Sequence, residues 1–415
     1  LAAARISIQG LEVATYKVLF VDDDVNMLAG LQRMLRPLRH EWQMQFVTSG
    51  SEALLALAKE PYHAIVTDMR MPDMDGAQLL AEVSRRHPEL VRLILSGFSE
   101  AESVMRTVGP AHQFLAKPCP PEILIDVLRR SMALRQMLES DAMRGLLASI
   151  KNLPTPPETY FRLIKYLEDP NASFAGTAQI IERDVAMTAE LLKMTNSAYF
   201  ALPSRVSSPL QAIRVLGFEI LRSLVLEVGI FQSFHGKAKE KAMMEAVNRD
   251  SFRVAHIARR IAKLEGFELA RVEECFCAGM LCSVGALVLL DCLPEQFAKV
   301  KARVLEGGDP IEAELSEFGA SQFQVGAYLL GLWGFKNSIV EAVAFADQPG
   351  TQPASRLDVS AVVHVARVLA GPFPGFTLGE AGEDAGRMAL DMSYLSQLGK
   401  QERLGTWMIE SRQVL

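Results

Sequence analysis

Residues 18–24 read VLFVDDD, four apolar residues suited to a buried strand running straight into three carboxylates. A strand apolar on both faces belongs inside a helix-covered sheet, and its acidic end marks one edge of that sheet. Working outward, KVLFV, QMQFVT, HAIVTD, VRLILS and HQFLAK are five strand candidates. Helical spacing fills the segments near 25–38, 51–59, 76–86, 100–108 and 121–138. Five such pairs predict a doubly wound parallel sheet whose site lies beyond the carboxyl ends of its strands. That rule gathers Asp22, Asp23 and Asp24 from the first strand, Asp68 from the third, Ser96 from the fourth and Lys117 from the fifth.

Three carboxylates brought together repel one another, and a hard divalent cation with oxygen ligands resolves the repulsion; Mg²⁺ fits best. A carboxylate beside that cation is placed to attack phosphorus and form an acyl phosphate, which makes Asp68 the expected acceptor. Lys117 would balance the charge of the incoming phosphoryl group, and Ser96 offers it a hydroxyl. Any one of these acids, taken alone, is more often a solvated turn. The four elements in order on one edge are not explained that way.

The stretches VLFVDDD, VTDMRMPDMDG, LILSG and FLAKP together resemble the receiver domain of two-component response regulators, over residues 17–138. The resemblance implies a flavodoxin-like (βα)5 fold phosphorylated by a sensor histidine kinase. It makes Asp22 and Asp23 the acidic Mg²⁺ pocket, Asp68 the phosphoacceptor, Lys117 the charge-balancing lysine and Ser96 the switch hydroxyl. It also implies that the backbone carbonyl of Arg70 is a metal ligand and that Phe114 is the switch aromatic. Residues 1–16 precede this domain; they lack a charged flank followed by a clean apolar core, so no signal peptide is expected there.

Residues 120–145 open on two prolines suited to a helix start and run without a breaker until Gly145. Ile123, Val127, Leu134 and Leu138 fall mostly on one face, so the helix is expected either to project into the next domain or to pair with a second copy. A plain surface helix followed by a flexible linker accounts for the spacing equally well.

After residue 146 the periodicity becomes helical throughout and no period-two strand is legible. LPTPPE, ERDVAMTAELLKMTNSAYF, PLQAIRVLG, AGMLCSVGAL and VGAYLLGLWGF resemble the HDOD domain, a relative of the HD metal-dependent phosphohydrolases, over residues 146–348. An all-α, HD-like bundle is implied. Asp184 and Asn196–Ser197 are expected to cap helices or satisfy hydrogen bonds. An HD hydrolase needs an upstream His, a His-Asp doublet and a later Asp, because its metal requires imidazole and carboxylate donors at one point. This chain has Asp250 or Ser251, then Cys282 and Ser283, then Arg367 at those positions, and FADQP keeps only Asp347. No convergence of donors is expected, and no metal in this domain. His256 and His364 read as hydrogen-bonded, half-buried or core residues, and Cys275, Cys277, Cys282 and Cys292 as small buried hydrophobes.

Residues 349–415 hold one apolar helix at about 359–370, a glycine- and acid-rich loop that reads as mobile, and a last helical stretch at about 393–411 expected to pack on the bundle. A net charge of −6 and the lack of a basic recognition helix argue against direct DNA binding. Five cysteines without framework spacing suit a reducing, cytoplasmic compartment. The apolar stretch at 220–231 is interrupted by Arg222 and Glu227, so no membrane span is expected. The sequence thus reads as a phosphorelay regulator whose non-catalytic output binds an unidentified protein partner, with a homodimer possible. The alternatives are a cyclic dinucleotide phosphodiesterase and an output that binds a nucleotide without cleaving it.

Overall fold

The computed structural model describes residues 16–96, 111–135, 143, 145–147, 150, 153–155, 157–169, 171–196, 205–225, 232–233, 238–351, 356–373 and 388–414. The first part alternates β1 (Tyr16–Val21), α1 (Val25–Leu35), β2 (Trp42–Val47), α2 (Gly50–Lys59), β3 (Ala64–Asp68), α3 (Gly76–Arg86), β4 (Val91–Ser96), β5 (Gln113–Ala116) and α4 (Pro121–Arg135). The strands form one sheet in the order β2-β1-β3-β4-β5, every pair parallel. Helix starts follow from their caps: Asp24 accepts from the Asn26 N–H, Ser49 from Glu52, and Asp75 with Gln78 closes a capping box. Apolar cores lie on both faces of the sheet, which is why β3 and the 18–21 stretch of β1 carry no polar alternation, whereas the edge strand β2 alternates at Gln43 and Gln45. The helix expected at 100–108 lies outside the described residues.

The second part is helical: α5 (Pro157–Leu167), α6 (Phe174–Ile181), α7 (Val185–Thr195), α8 (Pro209–Leu216), α9 (Phe218–Ser223), α10 (Ala238–Leu264), α11 (Leu269–Leu281), α12 (Val284–Cys292), α13 (Pro294–Leu305), α14 (Pro310–Phe318), α15 (Gln322–Leu332) and α16 (Asn337–Ala344). One exception corrects the sequence reading: β6 (Pro154–Thr155) and β7 (Gln232–Ser233) pair in parallel. Two residues are too few to display a period of two, so the pattern could not announce them. Residues 269–292 form the one described run long and apolar enough to cross a membrane, and 89% of that stretch is buried inside the bundle. The chain needs its apolar character there because α11 and α12 are central. Gly285 shows how tightly: a Cβ on it would sit 1.9 Å from the Gln322 carbonyl oxygen at the start of α15.

The tail contributes α17 (Val359–Leu369), α18 (Met392–Gln397) and α19 (Leu404–Ser411). The single helix expected at about 393–411 is therefore two helices, parted at Gly399, whose φ of +62° belongs to the left-handed region. Lys400, Arg403 and the Trp407 indole all donate to Glu265 at the end of α10, and Arg260 donates to Glu410. These bonds seat the tail on the bundle. Residues 374–387, most of the loop read as mobile, and residues 136–142, including Leu138 of the linking helix, lie outside the described residues.

Candidate functional site

At the carboxyl edge of the sheet the order reverses around β1 and β3, and there the polar residues meet. Asp22 follows β1, Asp68 ends β3, and Lys117 follows β5. The Lys117 ammonium donates to Asp22 Oδ2 at 2.7 Å and to Asp68 Oδ1. Asp68 Oδ2 accepts from the Arg70 N–H at 2.7 Å, and Asp22 Oδ1 from the Asp24 N–H at 3.0 Å. Both carboxylates are buried and held in fixed orientation. Burial pushes the Asp68 carboxyl up from its ordinary range, against the pull of Lys117. Burial opposes the charge on Lys117 as well, but its bonds to Asp22 and Asp68 outweigh it and hold the ammonium above the usual lysine value.

Among the described residues no three His, Cys, Asp or Glu side chains are grouped as for a metal ion. Asp23 is exposed, and the Lys117 ammonium is paired with both Asp22 and Asp68. Two carboxylates and the Arg70 carbonyl still suit Mg²⁺, which keeps most of its waters and takes one or two protein carboxylates. Ser96 ends β4 and Phe114 lies in β5, paired in register with Ile94; their side chains lie outside the described residues.

In the bundle, the degenerate HD positions lie side by side. Asp250 of α10, Cys282 and Ser283 between α11 and α12, and Arg367 of α17 do come together. They meet as an ion pair. Arg367 donates through Nη1 to Asp250 Oδ2 and through Nη2 to Asp250 Oδ1 at 3.1 Å and to the Gly371 carbonyl at 2.9 Å. The Arg367 side chain is 1% exposed and that of Asp250 7%, so this is a buried, bidentate pair. Cys282 Sγ lies 3.6 Å from Ser283 Oγ, and burial pushes its thiol up to about 11, which disfavours the thiolate. The signal for this pairing was present in the sequence, as opposite charges at two of the positions where donors were missing.

The remaining polar residues divide. His364 is fully buried, with Nδ1 on the Ala346 carbonyl at 2.8 Å and Nε2 accepting from the Asp391 N–H at 3.0 Å; burial lowers its pKa. His256 is half-buried; its Nε2 has no hydrogen-bond partner, and the ring packs against Phe252 at 4.3 Å and Phe276 at 5.3 Å. Burial, then Arg259, Arg183 and Lys263, lower it to about 4. Asp184 caps α7 through the Met187 N–H at 2.8 Å and also accepts from Thr155 and Asn248. Asn196 holds both the N–H and carbonyl of Val206, while Ser197 lies outside the described residues. The sequence reading missed Glu314, wholly buried on α14 and without a partner for Oε1, because an acidic residue on an amphipathic helix reads as surface.

Two protein families match parts of this chain. The response regulator receiver domain family matches residues 18–129 and the HDOD domain family matches residues 153–349. Among curated relatives, the hydrogenase transcriptional regulatory protein HoxA of Cupriavidus necator is 36% identical over 129 residues, 31% of this chain and 26% of that protein. The response regulator protein FleR of Pseudomonas aeruginosa is 32% identical over 115 residues, 28% of this chain and 24% of that protein. The chain thus spans about a quarter of the length of these relatives. Among solved structures, the MmoQ response regulator of Methylococcus capsulatus is 21% identical, covering 62% of this chain and 98% of that one at a TM-score of 0.46. The chain therefore joins a response regulator receiver domain, residues 18–129, to an HDOD domain, residues 153–349.

Proposed function

We propose that Asp68 accepts a phosphoryl group from a cytoplasmic sensor histidine kinase and that the HDOD domain answers by binding a protein partner, without hydrolysing anything. The observation that carries the first half is the buried Asp22–Lys117–Asp68 arrangement at the switch point of the sheet. An Asp68 carboxylate oxygen attacks the phosphorus of the phosphohistidine, the phosphorus–nitrogen bond breaks, and the imidazole leaves with that electron pair. The product is an acyl phosphate. Lys117 follows the negative charge from the carboxylate to a phosphoryl oxygen, and Ser96 offers a hydroxyl to another. Asp22, Asp68 and the Arg70 carbonyl would hold Mg²⁺, with Asp23 as a further acid of the pocket; the ion supplies charge neutralisation on the phosphoryl oxygens.

The second half rests on Arg367. A guanidinium bonded to Asp250 beside Cys282 fills the place where a hydrolytic centre would need an open coordination site. Incubation with acetyl phosphate and Mg²⁺ is expected to add one phosphoryl group by intact mass, and Asp68→Asn is expected to abolish it. Persistence of the added mass in that variant would remove Asp68 from its role.

A further inference from the structure

The sides of α10 serve different ends. Asp250 is paired inward with Arg367, while Phe252, His256, Arg259 and Lys263 recur at steps of four, three and four residues and so line another side of the helix, with Arg253 beside them. Lys263 is exposed, and Phe252, Arg253, His256 and Arg259 are half-buried. Rings and cations alternate here. The Arg259 guanidinium stacks on Phe276 of α11 at 3.5 Å from the ring centre, the exposed Arg183 lies over Phe252 at 5.8 Å, and the His256 ring touches both phenylalanines.

A shortage of acceptors sets this cluster apart from an ordinary basic surface. Arg253 Nε, His256 Nε2 and Arg259 Nε are closed off from solvent and have no hydrogen-bond partner. A surface arginine gives its protons to water, but a buried donor that finds no acceptor carries the cost of its own desolvation. The nearby carboxylates do not make up the deficit. Glu273 takes Arg259 Nη2 at 3.2 Å, and Glu182, whose charge burial disfavours, bonds to none of the three nitrogens. Arg183 and Lys263 make no ion pair among the described residues. The field at the imidazole is therefore positive, with Arg259, Arg183 and Lys263 all acting against a proton there.

We propose that this side of α10 binds a small phosphate-bearing anion, free phosphate or the phosphate of a nucleotide, whose oxygens accept from Arg253, His256 and Arg259 once the exposed Arg183 swings off Phe252. A phosphoryl group brings several strong acceptor oxygens and a charge that suits the donor fork of arginine. The neutral His256 ring contributes by carrying its proton on Nε2. Where the anion is a nucleotide, the Phe252 face that Arg183 vacates receives the base. The site uses none of the degenerate HD positions and needs no metal, and it stands whether or not Asp68 is the phosphoacceptor.

The test is isothermal titration calorimetry on the full chain, without Mg²⁺ and in a low-salt buffer free of phosphate, using inorganic phosphate, AMP and a polyglutamate peptide as probes. One saturable site is expected for phosphate or AMP. Tighter binding of AMP assigns the nucleotide, and equal or weaker binding assigns the free anion. Arg253→Gln and His256→Leu are each expected to weaken that binding by about tenfold or more, the loss of one hydrogen bond to a charged partner. Arg85→Gln, which removes a charge from the receiver instead, is expected to leave it unchanged. Thermal melts of the variants separate lost binding from unfolding. Binding that survives both α10 substitutions, no binding of phosphate or AMP at millimolar concentration, or a preference for polyglutamate over both would overturn the site.

Discussion

Arg367 and Asp250 illustrate how one buried pair can be read in two ways. Taking two charges out of water is costly, and the pair is secure only while both members remain. Arg367→Ala is therefore expected to cost about 3–5 kcal/mol in urea unfolding, because Asp250 is left charged and buried. The double variant Asp250→Leu, Arg367→Met is expected to recover most of that loss, which a simple count of lost bonds would not predict. Glu314 presents the opposite problem. Its Oε2 accepts from the Gln322 N–H at 2.8 Å, while its Oε1 and Gln322 Oε1 are buried acceptors without donors. A proton on Glu314 is what such a site asks for, and burial, with Asp347 and Asp309 nearby, raises its pKa to about 8. A carboxyl raised in the folded state contributes its full stability below the unfolded value of about 4.5 and loses it as pH climbs through about 8. Glu314→Gln is expected to remove that contribution to the pH slope, so that the urea midpoint falls less between pH 5 and pH 8.5 than in the parent chain.

At the scale of elements, the sequence was most legible where pattern and chemistry coincide. VLFVDDD and VTDMRMPDMDG place a strand, its direction and its reactive end together, and β1 and β3 lie where those residues put them. The edge residues Asp22, Asp68 and Lys117 were legible for the same reason, since each ends its strand or follows it by one residue. Asp23, a residue further on, stands exposed. In the bundle the helices were legible from their period, but the partner of each was not, because a helix face records that it is buried and not against what. The approach of α12 to α15 through Gly285 is a case in point. Gly285→Ala would drive a methyl group into the Gln322 backbone. The two helices must part to admit it, and a loss of about 1–3 kcal/mol in thermal or urea unfolding is the expected result.

For the whole molecule, the proposed phosphoacceptor Asp68 and a bundle whose charged centre is filled by the Arg367–Asp250 pair would suit a signal passed by contact. The full chain is expected to retain no stoichiometric transition metal and to leave cyclic di-GMP intact with added Mn²⁺ or Fe²⁺. Metal analysis and nucleotide chromatography check this; one or two ions per chain, with turnover lost on substitution of Cys282 or His364, would restore the phosphodiesterase reading. Sequence alone could not say that the domains touch through Gln113, whose amide donates to the Gly331 carbonyl at 3.4 Å, since a glutamine on an edge strand looks like any other solvated amide. A last consequence concerns time. Where Gly285 brings α12 against the start of α15, main chain meets main chain with no flexible side chain between them. A contact of that kind cannot loosen by degrees. The amide hydrogens of residues 284–290 should therefore trade with deuterated solvent only when the bundle opens as a whole, making them the slowest clock in the chain, while the receiver edge around Gln113 keeps much faster time.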